Sequence, residues 1–244
     1  MSSRDSLALA LSITGRKIVS ARANSIVLAG FLVFLIVIWI KGAFVFSFRL
    51  FLFIFPHLFL FSAQDLIKDE VDSGALENVL FLNGGYRSYL RWKSAVAGAA
   101  ALGAGSILFA VFSLYALATH RFAALFLLQF GSGIVAGFYY LALAGFLSFF
   151  LRAGTNSLVV ILGQAIGFFG LLVAATQKPE WIARLTPSSL PGSAPTFELL
   201  VAAAVVPNLI VVERSWLLIL GAGVLAGIFF GLQFLKIRSL ELRK

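Results

Sequence analysis

Half of the ten acidic residues, Asp65, Asp69, Glu70, Asp72 and Glu77, crowd into one stretch at 65–93, which also holds Lys68, Arg87, Arg91 and Lys93. Carboxylates on one helical face are the raw material of a Mg²⁺ site, because that ion takes oxygen ligands. Asp65 and Asp69 are four residues apart and share a face, with Asp72 close to it. A metal-dependent membrane enzyme of the phosphatidyltransferase kind needs a second acidic cluster, and the sequence offers none. Two further residues could do chemistry inside an apolar run. Arg49 either marks a path through the membrane or extends outward to the headgroups. His57, next to Pro56, could line the same path, relay a proton or ligate haem, or could be packed and hydrogen-bonded. His120 falls at an outer boundary. No Ser/His/Asp set is evident for membrane proteolysis. Without cysteine, thiol catalysis and disulfides are excluded. No G-x-x-x-x-G-K-[ST] loop is present to cradle phosphates, so this chain is not expected to be an enzyme that hydrolyses ATP.

The elements that must position these residues are membrane helices. The chain has 244 residues, 61% hydrophobic and only 12% charged, with a mean hydropathy of +1.01. A soluble domain is about 45–50% apolar and about 25% charged, and one this small cannot hide so much apolar surface. Repeated apolar runs of the length that crosses about 30 Å of hydrocarbon point to a bilayer. Lipid admits only helices or closed barrels, and runs that are apolar all round are not barrel strands. The net charge of +9 does not indicate nucleic acid. The basic residues sit in short patches beside apolar runs, as topology signals do.

The fold expected is an all-α integral membrane protein, one domain over 1–244 with six spans. An amphipathic N-terminal helix occupies 1–23, with Leu7, Leu11, Ile18 and Val19 as its apolar positions. Spans are expected at about 24–40, 43–64, 94–118, 122–150, 155–176 and 215–235, with a tight turn at Lys41-Gly42. The Phe-rich second span is compatible with an apolar path and equally with rings facing lipid. An external segment at 177–214 contains four prolines before 199 and a short apolar run with Pro207, suited to a broken or re-entrant element. Six spans put both termini on one side. That side carries four Lys/Arg in the N-terminal segment, four in 65–93, Arg152, and four in the tail, against six opposite. The expected location is the cell membrane with both termini cytoplasmic.

Within 65–93, Asp72 or Ser73 can cap a short helix over 74–82. Glu77 lies near its positive end, Leu76, Val79 and Leu80 form an apolar stripe, and Asn83-Gly84-Gly85 is a stop signal. The run Asp69-Glu70-Val71-Asp72-Ser73-Gly74-Ala75-Leu76-Glu77-Asn78-Val79-Leu80, followed by Tyr86, Tyr89 and Lys93, resembles the cytoplasmic signature of ABC-2 type permeases. Ala75 stands where Thr is usual, and Asn83-Gly84-Gly85 replaces a Pro-containing turn. The resemblance implies the transmembrane permease subunit of an ATP-binding cassette transporter, an exporter. A separate ATPase subunit would drive it, and ATP and Mg²⁺ would bind to that partner. It further implies a coupling helix, with Glu70, Ser73, Gly74, Leu76, Glu77 and Leu80 at the ATPase contact, and a homodimer or heterodimer with a second permease in membrane lipid.

Two alternatives stay open. One is a haem-exporter-like permease of cytochrome maturation. The other is a secondary transporter or channel, although no inverted repeat is visible. Glycine ladders, Gly133/Gly137, Gly163/Gly167 and Gly223/Gly227/Gly231, permit close helix approach, either within the chain or at a subunit interface.

Overall fold

The computed structural model describes residues 7–13, 33, 35–36, 42–64, 66–72, 86–152, 154–177 and 216–241. Its helices are α1 (Phe44–Ala63), α2 (Lys68–Asp72), α3 (Tyr86–Ala118), α4 (Leu125–Leu147), α5 (Thr155–Gln177) and α6 (Trp216–Glu241), and residues 7–13 are also helical. No strand occurs among the described residues. Four stretches are long and apolar enough to cross a membrane: Phe44–Ala63, Ser88–Ala118, Leu125–Leu147 and Ile219–Arg238. The chain is therefore a multi-pass helical membrane protein. These four coincide with the expected second, third, fourth and sixth spans. The expected fifth coincides with α5, whose described apolar stretch, Thr155–Gly170, is shorter. The expected first span, most of the N-terminal helix and the external segment 177–214 lie almost wholly outside the described residues.

Helix α4 is the hub. It packs extensively on α1 and α6, while α1 also packs on α3, and α5 touches α4 only thinly. The α1 core face follows from its spacing. Phe44, Phe48, Phe51, Phe55 and Phe59 recur at steps of three and four and are all nearly or fully buried. They meet Phe109, Phe112 and Tyr115 of α3 and Phe126 and Phe130 of α4. Phe48–Phe126 and Phe55–Phe130 have ring centroids 4.5 and 4.8 Å apart. The phenylalanines of α1 thus divide. The five-ring stripe is core packing between helices, and Phe46 and Phe53 face outward, 59% and 37% exposed. In lipid the apolar effect does not drive helix against helix, so such interdigitation must supply the association.

Two glycines admit the rings. A Cβ at Gly105 of α3 would overlap the Phe55 ring, and one at Gly137 of α4 would overlap Phe59. The other ladders behave differently. Gly163, Gly223, Gly227 and Gly231 have open space where a Cβ would stand, among the described residues. Outward faces remain strongly apolar, as at Ile107 (68% exposed) and Ile166 (73%), which is the surface a bilayer covers.

The turns are local. Gly42, ahead of α1, has φ +81°, a left-handed conformation that suits glycine; Lys41, the other residue of the expected turn, lies outside the described residues. Residues 119–124 reverse the chain between α3 and α4, with His120 at φ +55°. Helix α3 has 33 residues, roughly 50 Å at 1.5 Å per residue, so it overruns about 30 Å of hydrocarbon. In the N-terminal helix, Ala10 is buried, Leu9 and Ile13 lie against the core, and Leu11 is 51% exposed. The buried face of residues 7–13 is therefore offset from the expected Leu7/Leu11 face.

Candidate functional site

One end of the bundle gathers polar side chains from every helix. It comprises the α1 end at Gln64, α2, the start of α3, the α4–α5 turn and the α6 end. Lys68, Arg91, Lys93, Arg152, Lys236 and Arg238 all lie at this end. Arg121 lies in the turn at the opposite end of α3.

Glu70 of α2 is the centre of the first cluster. Its Oε1 accepts from Lys93 Nζ at 2.5 Å and from the Tyr89 hydroxyl at 2.9 Å. Lys93 Nζ also donates to the Leu66 carbonyl at 2.6 Å. Lys93 is 1% exposed, Tyr89 0% and Glu70 6%. Local sequence explains the geometry. Tyr89 and Lys93 are four apart on α3 and so share a face. Leu66 and Ile67, both 1% exposed, insert apolar side chains where the chain leaves α1 and hold α2 against that face. A buried ion pair is stabilising only when its remaining valences are satisfied, and here Tyr89 and Leu66 contribute to that.

The second cluster ties α2 to the α4–α5 turn. Asp72 Oδ1 meets Lys68 Nζ at 2.8 Å, and Asp72 Oδ2 accepts from Arg152 Nε at 3.1 Å. The Lys68 hydrogen bond, the largest influence, holds the Asp72 carboxyl below its ordinary range against the opposing desolvation, and Arg152 adds to it by a hydrogen bond and its charge. Asp72 is thus engaged by two cations.

The third cluster joins three helix ends. Asn156 Nδ2 donates to the Ala144 carbonyl at 2.8 Å and the Gln64 carbonyl at 3.2 Å. Gln64 Oε1 accepts from Ser157 Oγ at 2.7 Å. The Asn156 amide thereby ties the Gln64 carbonyl at the end of α1 to the Ala144 carbonyl in the last turn of α4, which also accepts the Ser148 backbone N–H at 2.8 Å. On α6, buried Gln233 donates to the Ala142 carbonyl at 2.6 Å, and Gly145 leaves room for its amide.

The residues singled out in the sequence separate here. Ser73, Gly74, Leu76, Glu77 and Leu80 lie outside the described residues. Glu70, which the resemblance places at a partner contact, has its carboxylate turned inward on Lys93 and Tyr89. Arg49 is exposed on α1. His57 is half-buried inside the bundle: Nε2 is 3.2 Å from Gln164 Oε1 of α5, and the ring stacks on Tyr140 of α4 at 5.2 Å. Gln164 also donates to the Tyr140 hydroxyl. Arg49 and His57 are therefore not brought together.

Tyr89 and Lys93 stand in the sequence signature without an assigned role, and Arg152 enters there only as a topology charge; the structure makes all three partners of α2. The i, i+4 spacing of Tyr89 and Lys93 was the available signal. Arg152 had none, because its partner lies 80 residues away. Compared with protein-family models, curated proteins and solved structures, the chain gives no significant match.

Proposed function

We propose that this chain is the transmembrane permease subunit of an ATP-binding cassette transporter of the ABC-2 type, working as an exporter with a separate ATPase subunit. The observation that carries the reading is the fastening of α2 by Glu70, Lys93 and Tyr89. The acidic segment leaves α1 and returns through α3, and its described part is locked to α3 by a buried ion pair. A handle that transmits a push must be rigidly joined to the spans it moves. On this reading Glu70 anchors the handle, and Ser73, Gly74, Leu76, Glu77 and Leu80 form the part presented to the ATPase. ATP and Mg²⁺ belong to that partner.

The membrane arrangement is six spans, with an expected first span preceding α1 and α5 as the fifth. The gathered basic residues support a cytoplasmic location for the polar end and both termini, in the cell membrane. A second permease copy or a related subunit completes the path. Coupling is tested with Glu77→Lys. The variant should insert and melt like the parent while abolishing the transport-linked stimulation of the co-purified ATPase. Unchanged stimulation by Glu77→Lys rejects the coupling assignment.

A further inference from the structure

Helices α3, α4 and α6 leave a groove of about 430 Å³ between them, beside the polar end of the bundle. Its walls are apolar: Gly98, Ala99 and Leu102 of α3, Leu141 of α4, and Phe230 and Phe234 of α6. From Arg91 to Leu102 the α3 wall rises eleven residues, roughly 16 Å at 1.5 Å per residue. That is about half of a 30 Å hydrocarbon layer, the depth of one leaflet.

The rim is cationic. Arg91 lies at the mouth, its guanidinium 4.9 Å from the centroid of the Phe234 ring. No carboxylate pairs with Arg91 among the described residues. Stacking on Phe234 leaves the guanidinium N–H donors available, and these match a phosphate in a two-pronged geometry. Arg238 is exposed one turn beyond Phe234 on the same face of α6, and the Ser94 hydroxyl lines the groove next to Arg91.

We infer that this groove binds an anionic phospholipid from the surrounding leaflet, with one acyl chain along Ala99, Leu102 and Phe230 and the phosphate at Arg91 and Arg238. Charge complementarity selects this occupant. A second copy of a chain carrying net +9 would bring further positive charge to the rim, whereas an anionic headgroup neutralises it. An apolar slot one leaflet deep with arginine at its mouth has the dimensions and polarity of a lipid standing in its own monolayer. The inference needs only the membrane-embedded bundle and is independent of the transport reading.

The test is native mass spectrometry of the detergent-purified chain, titrated with phosphatidylglycerol and phosphatidylcholine of identical acyl chains. The parent should retain phosphatidylglycerol about tenfold more strongly, the scale of a lost charge-assisted contact. R91Q should bring phosphatidylglycerol down to the phosphatidylcholine level. Ala99→Phe, which fills the slot, should weaken both lipids. Equal retention of the two lipids by the parent, or undiminished selectivity in R91Q, overturns the proposal. So does an Ala99→Phe variant that changes oligomeric state, because the groove would then be an interface between copies. If Ala99→Phe does not fold, R91Q alone decides.

Discussion

Lys93→Met is the most searching perturbation of the polar end. The parent side chains of Lys93 and Glu70 are only 1% and 7% exposed, and the ammonium bonds Glu70 and the Leu66 carbonyl. Methionine fills similar volume but removes both bonds and leaves a carboxylate buried beside Tyr89. Breaking one side of a buried pair costs about 3–5 kcal/mol. At about 2–4 °C per kcal/mol for a chain of this size, the melting temperature should fall by roughly 6–20 °C. Glu70→Gln added to Lys93→Met removes the carboxylate's charge while keeping an acceptor for Tyr89. The double variant should therefore be more stable than Lys93→Met alone, a coupling that a double-mutant cycle reads directly. The assay is thermal melting in detergent followed by size-exclusion chromatography. If Lys93→Met melts within about 2 °C of the parent and Glu70→Gln rescues nothing, the pair is solvated and α2 is not fastened as described.

Two other perturbations test separate links. Gly105→Ala places a methyl in the Phe55 ring, which Phe59 and Phe130 hold at centroid distances of 5.7 and 4.8 Å, so it should cost about 1–3 kcal/mol. Gly103→Ala, on the same helix with open space, should be neutral or stabilising by up to about 1 kcal/mol; melting curves that rank the two the other way reject the packing of α1 on α3. Asp72 has its carboxyl held below the ordinary range, so its stabilisation is present above that range and is lost as pH falls through it. Parent and Asp72→Asn should differ at neutral pH and converge on acidification below about 4, with a smaller gap in high salt because Arg152 is 75% exposed. A gap that widens on acidification contradicts the assignment.

Sequence alone determined the solvent and the element type. Apolar runs of bilayer length have one physical solution, the helix, and four of them stand within a few residues of where hydropathy put them. It also determined which stretch differs from the rest, because charge in such a chain is expensive and must be either at a surface or paired. It did not determine which of those fates each charge met. Glu70 and Asp72 are two residues apart with the same functional group. Only the packing of α2 on α3 decided that one is buried on Lys93 while the other meets Lys68 and Arg152 beside solvent. The Phe residues of α1 tell the same story. Their three-and-four spacing marks one face of the helix, but the room that admits Phe55 and Phe59 is made by Gly105 and Gly137, which lie 50 and 78 residues further along the chain. Partners at that separation leave no local periodicity to read, so the pairing was settled by tertiary contact.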